Sequence, residues 1–286
     1  MIADVVQRYK ELLIESKVLS RKQKVLTEPT TKDFEKIDDK VIVLQQGDEC
    51  WDYSVLNKID FIITSSIWLK NKYSELNKKT ILLEFPIRDI FKKKTNWKSR
   101  ENSIYYHGRV LPEKVPLLDL KKILQSGIEV VIRGPICKKY WTEKDIEVEE
   151  FNLYKKALLE VESIFDNLHL LPATEDENII ISELNKYKFY FTISKGEAFN
   201  VALQEAIACG TMPIVRRNQA YWWADCLFSG FSKVKDLIVK YNVFKDEDLE
   251  EYSDIIAKEI KARCSLEAIY DKYEYQFTQT HQISQS

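Results

Sequence analysis

At 286 residues the chain is long enough for one large domain or two of ordinary size, and 45% hydrophobic residues can supply a core for either. A formal charge of −2 and a pI near 6.1 exclude a globally basic protein, so any polyanion would have to meet a local patch. The five cysteines, at 50, 137, 209, 226 and 264, are odd in number and contain no C-x-x-C pair, which argues against a disulfide framework and a zinc site.

No segment approaches the length needed to span a bilayer, and the opening residues show no uninterrupted apolar stretch. A soluble, cytoplasmic protein is expected, with peripheral contact to a membrane left open. Apolar residues at Val5, Val6, Leu12, Leu13 and Val18 predict a helix within residues 1–19, followed by a polar stretch over 20–40. Strands are predicted at Val41 to Leu44, Phe61 to Thr64 and Thr80 to Leu83, each a short apolar run closed by turn-forming residues. The lysine-rich stretch Lys92 to Asn102 has few core-forming residues and reads as a solvated linker.

Beyond it the same rhythm resumes. Strands are predicted at 103–107, 129–132, 167–171, 189–193 and 212–215, and helices at 117–124, 154–165, 179–185 and 201–208. Two more helices, 249–262 and 265–277, precede a frayed tail. Continuous apolar strands alternating with helices imply parallel sheets covered on both faces. The class is therefore α/β, with residues 1–100 and 101–264 as two doubly wound domains and 265–286 as a C-terminal helix and tail. Ligands of such sheets sit outside the carboxyl ends of the strands, and Gly108, Gly134 and Gly196 all fall there.

The segment from Ser194 to Val215, SKGEAFNVALQEAIACGTMPIV, carries the sharpest chemistry. A strand ends, Gly196 permits a tight turn, and a helix opens near Phe199 or Asn200. The first amides of that helix lack intrahelical acceptors and, with the helix dipole, form an anion site suited to phosphate. Glu197 stands just before the helix and Glu205 two turns within it, where a carboxylate suits a hydroxyl-rich group such as ribose. On spacing alone, a second reading stands beside this one, in which Glu197 stabilises the helix start and Glu205 is a surface carboxylate.

Residues Glu197 to Thr211 resemble the E-x7-E signature of the retaining GT-B glycosyltransferases (the family 4-like group), which includes glycogen synthases and many mannosyl- and glucosyltransferases. Tyr106 to Lys114 resembles the family's strand, Gly-Arg loop and lysine, and Val130 to Pro135 its next strand and glycine turn. Thr64 to Ser66 and Leu83 to Ile87 fall where the family's N-terminal domain has its last two strands.

This resemblance implies a GT-B fold, two Rossmann-like domains facing a cleft, with the N-terminal acceptor-side domain reduced. It implies a hexosyl- or pentosyltransferase that uses a nucleotide diphosphate-sugar, UDP- or GDP-linked, with retention of anomeric configuration and no metal or other cofactor. Carried over by position, Arg109 and Lys114 grip the diphosphate and stabilise the departing nucleotide. Glu197 binds the transferred sugar and Glu205 the ribose. Gly108, Ala198, Phe199, Asn200 and Val201 bring backbone to sugar or phosphate, and Gly134 and Pro135 shape the base pocket.

Departures from the family pattern are also visible. Ala198 and Asn200 stand where glycine is usual, and Asn200 is a residue that tolerates a left-handed backbone. Where the family often has a histidine, Gln45-Gln46-Gly47-Asp48 stands instead, so that Asp48 and Glu49 are either cleft residues or loop caps. His107 is a core or donor-contacting residue. Tyr221-Trp222-Trp223 either stacks on a sugar or base or packs the far edge of the second domain. Asp38-Asp39 and Asp246-Glu247-Asp248 read as solvated carboxylates.

The acceptor stays open between a glycan, a lipid-linked sugar and nucleic acid, the last as a hydroxymethylated base of the kind glycosylated by phage enzymes. Lys92 to Arg100 and the Trp-rich segment would then form the track. A catalytically silent nucleotide-sugar-binding protein is the remaining alternative. Neither oligomeric state nor donor sugar is written in the sequence.

Overall fold

The computed structural model describes residues 2–15, 24–27, 29, 31–35, 41–44, 53–76, 79–136, 146–194, 197, 199–217, 219–224 and 230–283. The chain divides into two compact units, Met1–Arg88 with Lys261–Ser286, and Asp89–Ile260. Each is built on a parallel sheet.

In the first unit the strands β1 (Val25–Thr27), β2 (Val41–Leu44), β3 (Ile59–Thr64) and β4 (Thr80–Leu82) lie in the order β1-β2-β3-β4 with every pairing parallel. All four residues of β2 are buried, as are all of β3 except Asp60. Burial on both faces is why these strands read as unbroken apolar runs. The helices are α1 (Ile2–Glu15), α2 (Tyr53–Asn57), α3 (Ile67–Glu75) and, from the chain's far end, α10 (Leu266–Ile283). Ser66 caps α3 by accepting the Leu69 amide on its hydroxyl. The edge of β4 is closed by Gln276 of α10, whose side-chain amide accepts from Leu82 N at 3.1 Å and donates to Leu82 O at 2.8 Å. Capping an open strand edge in this way removes a site of unwanted strand pairing. The C-terminal residues expected to fray instead continue α10 to Ile283.

The second unit carries β5 (Glu101–His107), β6 (Val130–Arg133), β7 (Leu168–Leu171), β8 (Tyr187–Thr192) and β9 (Met212–Val215), all parallel, in the order β7-β6-β5-β8-β9. Starting from β5, the chain winds outward through β6 and β7, then returns to β5's other side for β8 and β9. Helices α4 (Leu117–Gln125), α5 (Ile146–Ile164), α6 (Glu177–Lys186), α7 (Val201–Ala208), α8 (Val234–Phe244) and α9 (Glu250–Cys264) follow in order. Residues Leu203 to Ala208 of α7 are all buried, the polar Gln204 and Glu205 among them. No described helix is long and apolar enough to cross a membrane.

The lysine-rich stretch expected to be a solvated linker is packed into the second unit. Trp97 is 1% exposed and meets Phe189 edge-on, with the Lys188 ammonium 5.5 Å from its ring. Lys93 pairs with Asp254 at 2.6 Å and Glu250 at 3.3 Å, and Lys98 pairs with Asp248 at 3.0 Å. Arg100, 4% exposed, donates to the carbonyls of Thr95, Leu184, Tyr187 and Cys209 and to the side chains of Asn185 and Thr211. A buried guanidinium here gathers the C-terminal ends of α6 and α7, whose last carbonyls need donors. The expected boundary near residue 100 thus lies inside the second unit. Three of the stretch's five cations are committed to partners within it, which weakens the case for a nucleic-acid track.

Candidate active site

In a parallel sheet, loops leave adjacent strands in opposite directions where the strand order reverses, and a crevice opens there at the carboxyl ends. In the five-stranded sheet that point lies between β5 and β8. The residues that follow these two strands include Gly108 to Lys114 and Glu197 to Asn200, the positions expected from the sequence to carry the chemistry.

Two glycines shape the turn after β5. Gly108 has φ +154°, and a Cβ there would stand 2.9 Å from the Tyr106 hydroxyl. At Gly134, after β6, the constraint is close approach, because its Cβ would lie 1.7 Å from the Gly108 carbonyl oxygen. The two turns are laced together by Gly108 N–H to Arg133 O at 3.0 Å and Val110 N–H to Pro135 O at 3.2 Å. Gly134 and Pro135 therefore support the arginine loop directly.

From that loop the Tyr106 hydroxyl donates to the Arg109 carbonyl at 2.9 Å, and a turn through Pro112 to Lys114 is closed by Lys114 N–H to Leu111 O at 3.0 Å. The turn delivers the Lys114 ammonium to Glu197, at 2.9 Å, with the two side chains 12% and 14% exposed. Arg109 and Glu197 both act electrostatically on the buried Tyr106 hydroxyl. Burial and then Glu197 push its pKa well up, and Arg109 pulls it down. Burial, followed by Tyr106 and Glu197 at Tyr190 and by Glu197 at Tyr221, likewise raises the pKa of these two hydroxyls. The structure thus gathers Arg109, Lys114, Glu197 and Asn200 around buried tyrosines.

Helix α7 begins at Val201, and Asn200 is its N-cap, with φ −116° and ψ 86° and its side chain accepting Leu203 N–H at 2.9 Å. The left-handed conformation considered for Asn200 is absent, since its side chain does the work of a cap. The Val201 and Ala202 amides lie at the helix start, where no intrahelical acceptor exists. Glu205 is 6% exposed, which overturns its reading as a surface carboxylate. Its neighbour Gln204, 1% exposed, is buried beside it on the same helix.

His107 ends β5, and its carbonyl accepts from the Tyr190 hydroxyl at 2.9 Å. Burial lowers its imidazole pKa to about 4, with Glu183 opposing and Arg133 adding, so the ring is neutral at neutral pH. Nearby, Glu183 of α6 accepts both Arg133 Nε at 2.6 Å and the Tyr105 hydroxyl at 2.6 Å, fixing the end of β6 that leads into Gly134. Nothing in the sequence links Arg133 and Glu183, which stand fifty residues apart.

The aromatic segment falls in a short 3₁₀ turn, Gln219–Ala224, after β9. Tyr221 and Trp223 are 2% and 3% exposed, and the Trp223 ring lies 5.3 Å from that of Phe199, tilted by 33°. This places Trp223 beside the loop that leads into α7, not at a far edge. Tyr106 and Tyr190 were not expected as site residues, although Tyr106 stands only two residues before Gly108. Asp248 is spent on Lys98 and on the Glu250 amide, in line with a solvated carboxylate run. Ala198, Lys195, Gly196, Asp38, Asp39 and Gln45 to Glu49 lie outside the described residues.

No family model matches the sequence, and no curated protein matches it. Solved structures do match in shape. S. aureus TarM, in complex with UDP and alpha-GlcNAc-glycerol, superposes with a TM-score of 0.62 at 14% identity over 93% of this chain and 58% of its own. Sucrose-phosphate synthase from Thermosynechococcus elongatus gives 0.62 at 13% identity, covering 88% of this chain and 70% of its own. Anabaena HepE, in complex with UDP and glucose, gives 0.57 at 12% identity, covering 98% and 80%. The chain thus spans 58% of TarM's length. At 12–14% identity the shared feature is architectural, and with its two all-parallel Rossmann-like sheets the chain adopts the GT-B fold of these glycosyltransferases.

Proposed function

We propose that this chain is a retaining glycosyltransferase of the E-x7-E type that moves a sugar from a nucleotide diphosphate-sugar, UDP- or GDP-linked, to an acceptor hydroxyl. The observation that carries the reading is the pairing of Lys114 with Glu197 at the strand-order reversal, beside Arg109 and the start of α7. A diphosphate needs fixed cations and helix-terminal amides, and Arg109, Lys114 and the Val201 and Ala202 amides are of the right kind. Glu197 would take hydroxyls of the transferred sugar and the buried Glu205 those of the ribose.

In the proposed reaction the acceptor oxygen forms a bond to the anomeric carbon as the bond to the donor phosphate breaks. The acceptor's proton passes to a phosphate oxygen of the leaving nucleoside diphosphate. Charge that develops on that leaving group is met by Arg109 and Lys114, the kind of electrostatic term that usually dominates catalysis. No side-chain nucleophile or metal is required. TarM and HepE, each captured with UDP, support the donor class by analogy of fold. A glycan or lipid-linked acceptor is favoured over DNA, because Lys93, Lys98 and Arg100 are already engaged.

The test is donor hydrolysis or transfer by the wild-type chain and by Arg109→Ala and Glu197→Ala. Loss of turnover in both variants supports the assignment, and undiminished turnover in either refutes it. Tight donor binding without any turnover in the wild type would instead favour a silent binding protein.

A further inference from the structure

Arg133 is buried at the carboxyl end of β6 and joins three other chain segments there. Its Nε and Nη2 donate to the two carboxylate oxygens of Glu183 on α6, at 2.6 and 2.5 Å, the planar fork that guanidinium and carboxylate share. Its Nη1 donates at 2.5 Å to the carbonyl of Pro172, the residue after β7. Its own backbone carbonyl accepts the Gly108 amide at 3.0 Å. Glu183 is held in turn by the Tyr105 hydroxyl, which donates to it at 2.6 Å. Both side chains of the pair are nearly buried, 11% and 13% exposed. An ion pair at that depth often adds little net stability over apolar residues of the same size, so its contribution here is geometric. It fixes the turn after β6 against the loop after β7.

We propose that Arg133 and Glu183 are positioning residues for the nucleobase of the donor, holding the Gly134 turn and the Pro172 loop at the spacing that selects one base over another. The inference rests on the nucleotide-sugar reading above. With the diphosphate beside Arg109, Lys114 and the start of α7, the nucleoside attached to it lies over either β9 or β6 and β7. After β9 the chain buries Tyr221 and Trp223, the latter against Phe199. After β6 and β7, Gly134 carries no side chain, and Pro172, Ala173, Glu175 and Asp176 are exposed. The open surface is therefore the one that the Arg133–Glu183 pair sets. Neither side chain touches the donor. The diphosphate grip is separate from the pair, because the Gly108 amide meets the backbone of Arg133 and not its guanidinium.

The experiment uses the full chain, with UDP, GDP and ADP as probes in titration calorimetry. If none binds the wild type, the underlying donor reading fails and this inference falls with it. If all three bind equally, the donor reading stands and this inference alone is overturned. If one is preferred, Glu183→Gln should weaken it at least tenfold and the other two less than threefold, so that the preference collapses. Arg133→Lys, which keeps the cation and loses the fork, should do the same. Asp254→Asn, which breaks the Lys93 pair elsewhere in the unit, should leave all three affinities within twofold. A pair that only stabilised the fold would shift the three diphosphates together. Equal weakening, or an unchanged preference, overturns the proposal.

A second readout needs no variant and decides the matter should neither substitution fold. In the wild type, hydrogen exchange at the amides of Ala173, Thr174 and Glu175 should slow at least tenfold when the preferred diphosphate is bound. The disfavoured diphosphates at equal saturation should slow it less than threefold. Exchange that is unchanged by the preferred ligand, or slowed alike by all three, would contradict the proposal.

Discussion

Replacing Glu197 by glutamine should lower stability and raise nucleotide affinity at once, a combination that a purely structural ion pair does not give. The pair with Lys114 is 2.9 Å long, with side chains 12% and 14% exposed. At an effective dielectric of about 20 the gross attraction at that distance is roughly 6 kcal/mol. Most of it is offset by desolvation, and breaking fully buried pairs costs about 3–5 kcal/mol, so about 2 kcal/mol is expected for this partly exposed one. That loss should appear as a Tm lower by roughly 4–8 °C. In the same variant the Lys114 charge loses the Glu197 carboxylate, and the diphosphate no longer meets that anion. Nucleoside diphosphate should bind about tenfold tighter by titration calorimetry, a change of about 1.4 kcal/mol. Sugar transfer should meanwhile fall at least tenfold in kcat/KM, since a charged hydrogen bond to the sugar is worth about 1.5–3 kcal/mol. An unchanged or weakened affinity for the nucleoside diphosphate would refute the reasoning, whatever happened to Tm.

Three further outcomes follow from the packing around the site. Gly134→Ala forces a Cβ to within 1.7 Å of the Gly108 carbonyl, so the Gly108 turn must shift. It should cost about 3 kcal/mol in urea denaturation and weaken nucleotide binding as Arg109 moves with its loop. Arg100→Met strips donors from carbonyls at the ends of α6 and α7, with an expected loss of about 3–5 kcal/mol by the same measurement. His107, lowered from 6.5 to about 4 by burial, makes the unfolded chain take up a proton first as pH falls. Its contribution to stability should therefore be lost between about pH 6.5 and 4, by at most about 3 kcal/mol. Denaturation of wild type and His107→Asn across that range isolates the effect as a difference in slope, and identical slopes would contradict it.

Sheet strands were legible because parallel strands bury both faces: Val41–Leu44 and Met212–Val215 occur as the apolar runs themselves. Val25–Thr27 escaped notice because three residues inside a polar stretch, at a sheet edge, carry too little periodicity. Helix α8 was obscured for another reason. Its buried Val234, Leu237 and Tyr241 are interleaved with Val239, 63% exposed, and Val243, 49% exposed, which blurs the apolar stripe.

The lysines after residue 92 looked solvated because the acids that pair with them, Asp248, Glu250 and Asp254, lie about 150 residues further on. Of the site, the Arg109, Lys114, Glu197 and Glu205 set was visible through its resemblance to a motif. The buried tyrosines and the Trp223–Phe199 contact were not, since only the tertiary fold brings residue 223 to residue 199. Asn200 stands where the family has glycine, but a glycine-like backbone is not needed there, because the position is a helix cap.

The most direct test of the donor reading is the thermal shift produced by UDP-, GDP- and ADP-linked sugars on the wild type and on Arg109→Ala/Lys114→Ala. A ligand at about one hundred times its Kd stabilises the folded state by about 2.7 kcal/mol, which corresponds to roughly 5–10 °C here. At least one nucleotide-sugar should raise the wild-type Tm by that amount and leave the double variant unshifted. No shift with any donor, or a shift that persists in full without Arg109 and Lys114, would contradict the account.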